Sequence, residues 1–309
     1  MENWMSRIPD NRKIKFINIP ATHDSCAYYM NLISFNLART QYYTIKQQLQ
    51  IGTRKFDIRV ANSGKNKDKD EDLICCHGIC DCYATDNFLN FKKLTFKSIL
   101  MDIKNFLEKN PSEIVIMSIR LGRGKKSDTV KRAFEIFKKY VGDIIVNYHP
   151  DLILREVRGK IINITILKEE FDKKKINNKA NNKIIRCCEN INGTGINEVH
   201  SKYKNYETFK VNGNLKIQEL KDMFELYKMT IQEAENEIYN KKIPFPIEYS
   251  ISCTGEKDNC LPSPIDQANI VHSFIQKDGV LRKGYYYGWI KMDFANQKSN
   301  YKLIDTNFI

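Results

Sequence analysis

The chain is 309 residues long, with 42% hydrophobic, 11% aromatic and 28% charged residues and a formal charge of +13. This length suits one α/β barrel, while a mean hydropathy of −0.50 and the lack of any run near the roughly 20 apolar residues that span a bilayer exclude a membrane-embedded fold. The nine cysteines, an odd count with Cys75 beside Cys76 and Cys187 beside Cys188, do not form a disulfide framework and favour a reducing, cytoplasmic compartment.

In chain order, the N-terminal MENWMSRIPD has no apolar core of the signal-peptide type. Short β-rich runs then fall at 15–19, 54–58, 73–76, 114–119, 160–167, 247–253 and 286–292. Most are apolar throughout, as strands of a parallel sheet buried on both faces must be. Between them, Phe96, Ile99, Leu100, Ile103, Phe106 and Leu107 recur at helical spacing until Asn110 and Pro111 stop the helix. Val130, Phe134 and Phe137 form a second such stripe, and Leu220, Met223, Phe224 and Tyr227 a third. Residues 62–72 (NSGKNKDKDED) and the Lys/Asn-rich 171–182 read as exposed loops. There is no fixed repeat and no Pro- or Gly-rich linker, so the expected organisation is a single domain over 1–309: α/β, one distorted (β/α) TIM-type barrel.

The positive charge attracts polyanions, and an anionic membrane face fits better than nucleic acid, because no basic recognition helix or aromatic-basic platform is present. Tyr28, Tyr29 and the run Tyr285, Tyr286, Tyr287 are candidate membrane contacts, with core packing as the competing reading.

Polar residues collect at strand ends. His23 and Asp24 follow FINIPAT, Asp57 and Arg59 end KFDIR, His77 follows LICC, Arg120 ends IVIMSI and Asp293 follows GWIKM. In an α/β barrel such positions converge on one mouth. Phosphodiester cleavage needs a base for the attacking hydroxyl, an acid for the departing oxygen and a fixed cation for the phosphoryl oxygens. Histidine suits the first two tasks, and Arg59 or Arg120 the third. His149, His200 and His272 are read as structural or surface residues.

The runs WMSRIPD, IPATHDS, KFDIR, CCHG, NPSEIVIMSIR, RGKI and GWIKMDF together resemble the catalytic domain of bacterial phosphatidylinositol-specific phospholipase C. The resemblance implies cleavage of phosphatidylinositol or a glycosylated inositol lipid by attack of the inositol 2-hydroxyl, giving a cyclic inositol phosphate and diacylglycerol. It implies His23 as general base held by Asp293, His77 as general acid assisted by Asp24, Arg59 on the phosphoryl oxygens, Asp57 orienting the set and Arg120 where the family usually has a lysine. It further implies no metal and no cofactor, because Arg59 supplies the charge that calcium supplies in metal-dependent relatives, and a monomer working peripherally on an anionic phospholipid surface.

Several positions depart from the family. Ala21 replaces a glycine and Cys76 a histidine. In the head-group pocket, Ser201 replaces an aspartate before Lys202 and Tyr203, and an arginine has no counterpart near Lys168 and Glu169. Ser201 and Tyr203 are the expected head-group contacts, beside Arg120. The alternatives are a catalytically silent barrel on anionic lipid, a phosphodiesterase of the same fold with another head group, or a metal-dependent barrel of the glycerophosphodiesterase kind. A zinc site at Cys75, Cys76, His77, Cys80 and Cys82 is a minority reading, because the spacing makes no paired CxxC knuckle.

Overall fold

Side chains alternate in direction along each strand, so register decides which of them share the barrel interior. The computed structural model describes residues 1–30, 38–62, 73–85, 92–123, 126–164, 229–240, 248–251 and 264–309. Its strands are β1 (Ile19–Thr22), β2 (Lys55–Asn62), β3 (Leu73–His77), β4 (Cys80–Asp81), β5 (Val115–Leu121), β6 (Ile145–Asn147), β7 (Ile161–Asn163), β8 (Glu248–Ile251) and β9 (Trp289–Met292). The parallel path runs β6-β7-β5-β2-β1-β9-β8, and β3 and β4 form an antiparallel flap on β2. This is the α/β barrel architecture, distorted by the flap.

The helices are α1 (Ile45–Gln50), α2 (Phe96–Lys109), α3 (Lys126–Val141), α4 (Leu154–Val157), α5 (Ile231–Asn240), α6 (Pro264–Ile275) and α7 (Gln297–Asp305). Thr44 and Gln47 form a capping box at the start of α1, and the Thr95 hydroxyl accepts from the Ser98 amide to start α2. The six apolar residues expected along α2 are all buried, packed on Phe56, Ile58, Val115 and Met117 of the sheet. Helices α5 to α7, which the sequence patterning did not resolve, cover Ile290 and Met292 on the other side.

The opposite strand faces fill the interior in layers. Ile19, Ile116, Ile162 and Trp289 make a floor with Trp4, Met5 and Ile8. Arg54 and Glu113 close that floor with a fully buried ion pair at 2.8 Å, in which Glu113 also accepts the Met5 amide at 2.9 Å and Arg54 also donates to the Glu2 carbonyl at 2.7 Å.

Three expectations change. The strand expected at 15–19 begins only at Ile19. The Asn18 side chain accepts from the Tyr287 and Gly288 amides at 2.7 and 2.8 Å, so the ladder between β1 and β9 starts after it, and Ile14–Phe16 turns as a 3-10 helix. Strands β4 and β6 were not anticipated; each is short, and neither carries the apolar run by which a buried strand is recognised. The third change concerns β3, which runs antiparallel to β2 (Val60 opposite Cys75). His77 therefore comes back down to the mouth from above it. The loop at 62–72 beyond Asn62, the tract at 171–182, the stripe from Leu220 to Tyr227, and Cys187, Cys188, Cys253 and Cys260 lie outside the described residues.

Candidate active site

Register places the polar residues. Ala21 pairs with Lys55 and with Lys291, which puts His23, Asp57 and Asp293 one layer higher, and Arg59 lies opposite Arg120 another layer up. His23, Asp24, Asp57 and Asp293 are all buried at the mouth, and His77 arrives on the flap with its ring centroid 6.2 Å from that of His23, edge to face. Ser201 and Tyr203 lie outside the described residues.

Hydrogen bonding fixes the imidazole states. His23 Nδ1 lies 2.9 Å from Asp293 Oδ1, so it carries the proton and donates to the carboxylate. That leaves a lone pair on Nε2, which accepts from an Arg59 guanidinium nitrogen at 2.9 Å. Burial pushes the His23 pKa down to about 3; Asp24 opposes the shift, and Arg59 and Lys291 add to it. His77 donates from Nδ1 to the Ala38 carbonyl at 2.7 Å, and its Nε2 faces Asp24 Oδ2 at 3.0 Å. Nδ1 is thus spent on a main-chain carbonyl, and Nε2, beside the Asp24 carboxyl, is the nitrogen left to face the mouth.

Asp24 ties the two rings together. Its Oδ2 is also 3.5 Å from His23 Nε2, and its Oδ1 pairs closely with Arg59 Nε. Burial raises the Asp24 pKa against the pull of His23, Arg59 and His77. Burial would raise Asp57 too, but the Arg120 and Arg59 charges overcome it and hold that carboxyl well below the usual range. Asp57 meets Arg120 Nε at 3.2 Å and Arg59 at 3.8 Å, so it holds both guanidiniums over the mouth. The site thus offers a neutral imidazole with its lone pair on Nε2, a second imidazole whose Nε2 faces a carboxyl, and two oriented guanidiniums within a few ångströms.

His23, Asp24 and Asp57 are also the one group of three or more His, Cys, Asp or Glu among the described residues whose ligand atoms lie within 4.8 Å of one another. The Arg59 guanidinium contacts all three and brings a cation to that position. The cysteines are arranged differently from the zinc reading: Cys75 and Cys82 bury with Cys26 in the main core, and Cys76 packs on the other face with Ala61 and Ile74.

His272, read from the sequence as structural or surface, is structural, and Gln41 escaped the sequence reading. His272 is buried on α6, donates from Nε2 to the Asp293 carbonyl at 2.9 Å and accepts at Nδ1 from the Ser299 hydroxyl at 2.9 Å. Gln41 donates to the His23 and Met292 carbonyls at 2.9 and 3.1 Å. Both act on main-chain carbonyls, which leave no residue-type pattern; the run ARTQ before the α1 cap was the only local signal. The membrane aromatics also need correction. Tyr28, Tyr286 and Tyr287 are buried and Tyr29 and Tyr285 pack against the core. Tyr28 and Tyr29 stack edge to face at 5.2 Å, and the Tyr286 hydroxyl is satisfied internally by the Lys15 carbonyl at 2.7 Å.

The model of the family described as phosphatidylinositol-specific phospholipase C, X domain, matches residues 17–168. A 1-phosphatidylinositol phosphodiesterase of Listeria monocytogenes is 29% identical over 181 residues, 56% of this chain and 50% of that protein. The chain spans about half the length of the curated relatives it matches. Among solved structures, the phosphatidylinositol-specific phospholipase C of L. monocytogenes superimposes with a TM-score of 0.62 at 22% identity, covering 100% of this chain and 99% of that one. The S. aureus enzyme, in a structure concerned with its membrane binding, gives 0.67 at 21% identity, covering 100% and 98%. Over residues 17–168 the chain is therefore similar to the X domain of phosphatidylinositol-specific phospholipase C, and over its whole length it shares the fold of the bacterial enzymes.

Proposed function

We propose that this chain is a phosphatidylinositol diacylglycerol-lyase, cleaving phosphatidylinositol or a glycosylated inositol lipid to inositol 1,2-cyclic phosphate and diacylglycerol. The observation that carries this reading is the pair of imidazoles whose Nε2 atoms both face Asp24 at the mouth, at 3.5 and 3.0 Å. His23 Nε2 takes the proton of the inositol 2-hydroxyl while that oxygen bonds to phosphorus. The bond from phosphorus to the diacylglycerol oxygen breaks, and that oxygen takes the proton from His77 Nε2. Each ring ends in the state in which the other began.

Arg59 caps the His23 lone pair in the resting protein and releases it as the phosphate arrives, turning its fork toward the phosphoryl oxygens. Arg120, held by Asp57 at 3.2 Å, faces the same space. Since the positive charge comes from arginine, the reaction needs no metal or other cofactor.

The work site would be an anionic membrane surface, approached as a peripheral, single-domain monomer from the cytoplasmic side. Among the described residues no helix is long and apolar enough to cross a membrane. Ile79 supports a lipid-facing mouth. It is 90% exposed two residues beyond His77, with its carbonyl pinned by Arg123 at 2.7 Å and Arg123 in turn paired with Asp81. Tyr42, half-exposed, carries the Arg39 guanidinium 4.6 Å over its ring. An exposed apolar or aromatic side chain beside an arginine suits an anionic lipid interface.

The test is head-group release from phosphatidylinositol vesicles with chelator in excess, followed by phosphorus NMR. A cyclic phosphate signal is expected. Activity abolished by chelator would overturn the metal-free reading, and folded, vesicle-bound protein without product would leave a silent barrel or another head group.

A further inference from the structure

Residues 38–41 contact His77, His23, Asp24 and the residues on either side of Asp293, although none of them belongs to a strand of the barrel. The Ala38 carbonyl accepts a hydrogen bond from His77 Nδ1 at 2.7 Å. The Thr40 hydroxyl lies 3.0 Å from the Asp24 carbonyl and 3.3 Å from that of His23, while the Thr40 carbonyl accepts the Phe294 amide at 2.6 Å. Gln41 donates to the His23 and Met292 carbonyls and accepts the Ala295 amide at 3.2 Å. The Thr40 and Gln41 amides are themselves anchored on the Ala27 carbonyl at 3.0 and 3.1 Å.

The backbone at those contacts is unusual. Asp24 and Phe294 are the non-glycine residues with positive φ among the described residues, at 40° and 47°, and each directly follows a member of the His23 and Asp293 pair. A side chain in the left-handed region persists only where surrounding bonds hold it. Thr40 bonds to both of these residues, one through its hydroxyl and one through its carbonyl.

We infer that residues 38–41 are a positioning strap, in which Thr40 and Gln41 lock the left-handed turns after His23 and Asp293 and so set the alignment of base, carboxylate partner and acid. The strap touches no reacting atom; it acts through main-chain carbonyls. Gln41 is its centre, because one amide group donates to both chain ends and accepts from the residue after Phe294. A glutamate there would keep the acceptor and lose both donors, placing carboxylate oxygens against two carbonyls, whereas alanine would remove the group and admit water.

The inference rests on the function proposed above, so its test has one readout independent of turnover. Nitrogen-15 NMR of the histidine side chains in the resting protein reports whether His23 keeps its proton on Nδ1. In Gln41→Ala the expected results are a mixed His23 protonation pattern and a kcat about tenfold to hundredfold lower with KM within about twofold, the scale of a misplacement near an ångström. Gln41→Glu should fall further. Thr40→Val, which keeps the volume and loses the hydroxyl, should show the same signature more weakly, and it serves if the Gln41 variants fail to fold. His23 signals unchanged from wild type in folded variants overturn the strap whatever the rates. Wild-type protein without turnover but with a His23 pattern sensitive to Gln41 would sink the proposed reaction and leave the strap standing.

Discussion

His23 Nδ1 and Asp293 Oδ1 lie 2.9 Å apart across 270 residues of chain. Their strands, β1 and β9, are hydrogen-bonded neighbours, so the first and last turns of the barrel meet at the proposed base. The bond decides which nitrogen is free to take a proton. Asp293→Asn would be able to present its NH₂ to Nδ1 and favour the wrong tautomer. A fall in kcat of about a hundredfold to ten-thousandfold is expected, as for a serine-protease triad stripped of its carboxylate, with vesicle binding unchanged. Wild-type kcat in this variant would show that Asp293 does not set the proton position.

The low pKa of His23 carries a sign. The folded ring stays neutral to about pH 3, whereas an unfolded histidine takes its proton near 6.5. Between those values the unfolded chain binds one more proton, so stability falls as the pH falls through the window, by about 1.4 kcal/mol per unit once well below 6.5. Urea unfolding from pH 7 to 5 should show stability falling with a slope that steepens toward that value in the wild type and stays shallower in His23→Gln. Equal slopes would place the lost stability in other groups.

Arg59 meets Asp24 through Nε and reaches His23 and Asp57 through a terminal nitrogen. Lysine at this position has one charged centre for three directions. For Arg59→Lys, kcat/KM is expected to drop by at least about a hundredfold, the cost of one misplaced transition-state donor. Activity within threefold of wild type would assign phosphoryl stabilisation to Arg120 instead.

What was legible beforehand followed from strand period and position. His23 and Asp293 directly follow their strands and Arg120 stands near the end of β5, while Asp57 and Arg59 lie inside β2, which runs on to Asn62 past the end expected at 58; parallel register brings them together. His77 was found by its motif but for an incomplete reason: nothing in LICCHG distinguishes a strand running parallel to β2 from one folding back on it. The start of β1 was misplaced because Asn18 is an ordinary polar residue until its side-chain oxygen is seen occupying the two main-chain donors just before the last strand. Tyr28 and Tyr286 have the composition of a membrane belt and are buried, since an aromatic pair reads alike in a core and at an interface. Gln41, and the bond of His272 to Asp293, were invisible because the partners are carbonyls distant in the chain.

Ile79 gives the lipid-facing mouth a direct test. Trp4 and Trp289 are buried, so the Ile79→Trp variant adds one exposed indole. Its emission should shift to the blue on vesicles containing anionic phospholipid, and Ile79→Ser should bind them about tenfold to hundredfold less tightly, the weight of one buried aliphatic side chain. Unshifted emission together with undiminished binding of the serine variant would turn the docking face elsewhere.

The barrel floor answers to a different logic from the mouth. Arg54 and Glu113 are both fully buried, and burial raises the Glu113 pKa against the lowering effect of Arg54. Removing one partner leaves the other uncompensated, so Glu113→Ala should cost about 3–5 kcal/mol of stability. The Met5 amide, which Glu113 accepts at 2.9 Å, would lose its partner as well, loosening the N-terminal turn. The mouth lies at the other end of the strands, and the surviving folded fraction should keep the turnover of the wild type. Chemical unfolding and active-fraction kinetics separate the two effects: a variant as stable as wild type would mean that the pair contributes nothing net, and a loss of kcat per folded molecule would couple floor to site.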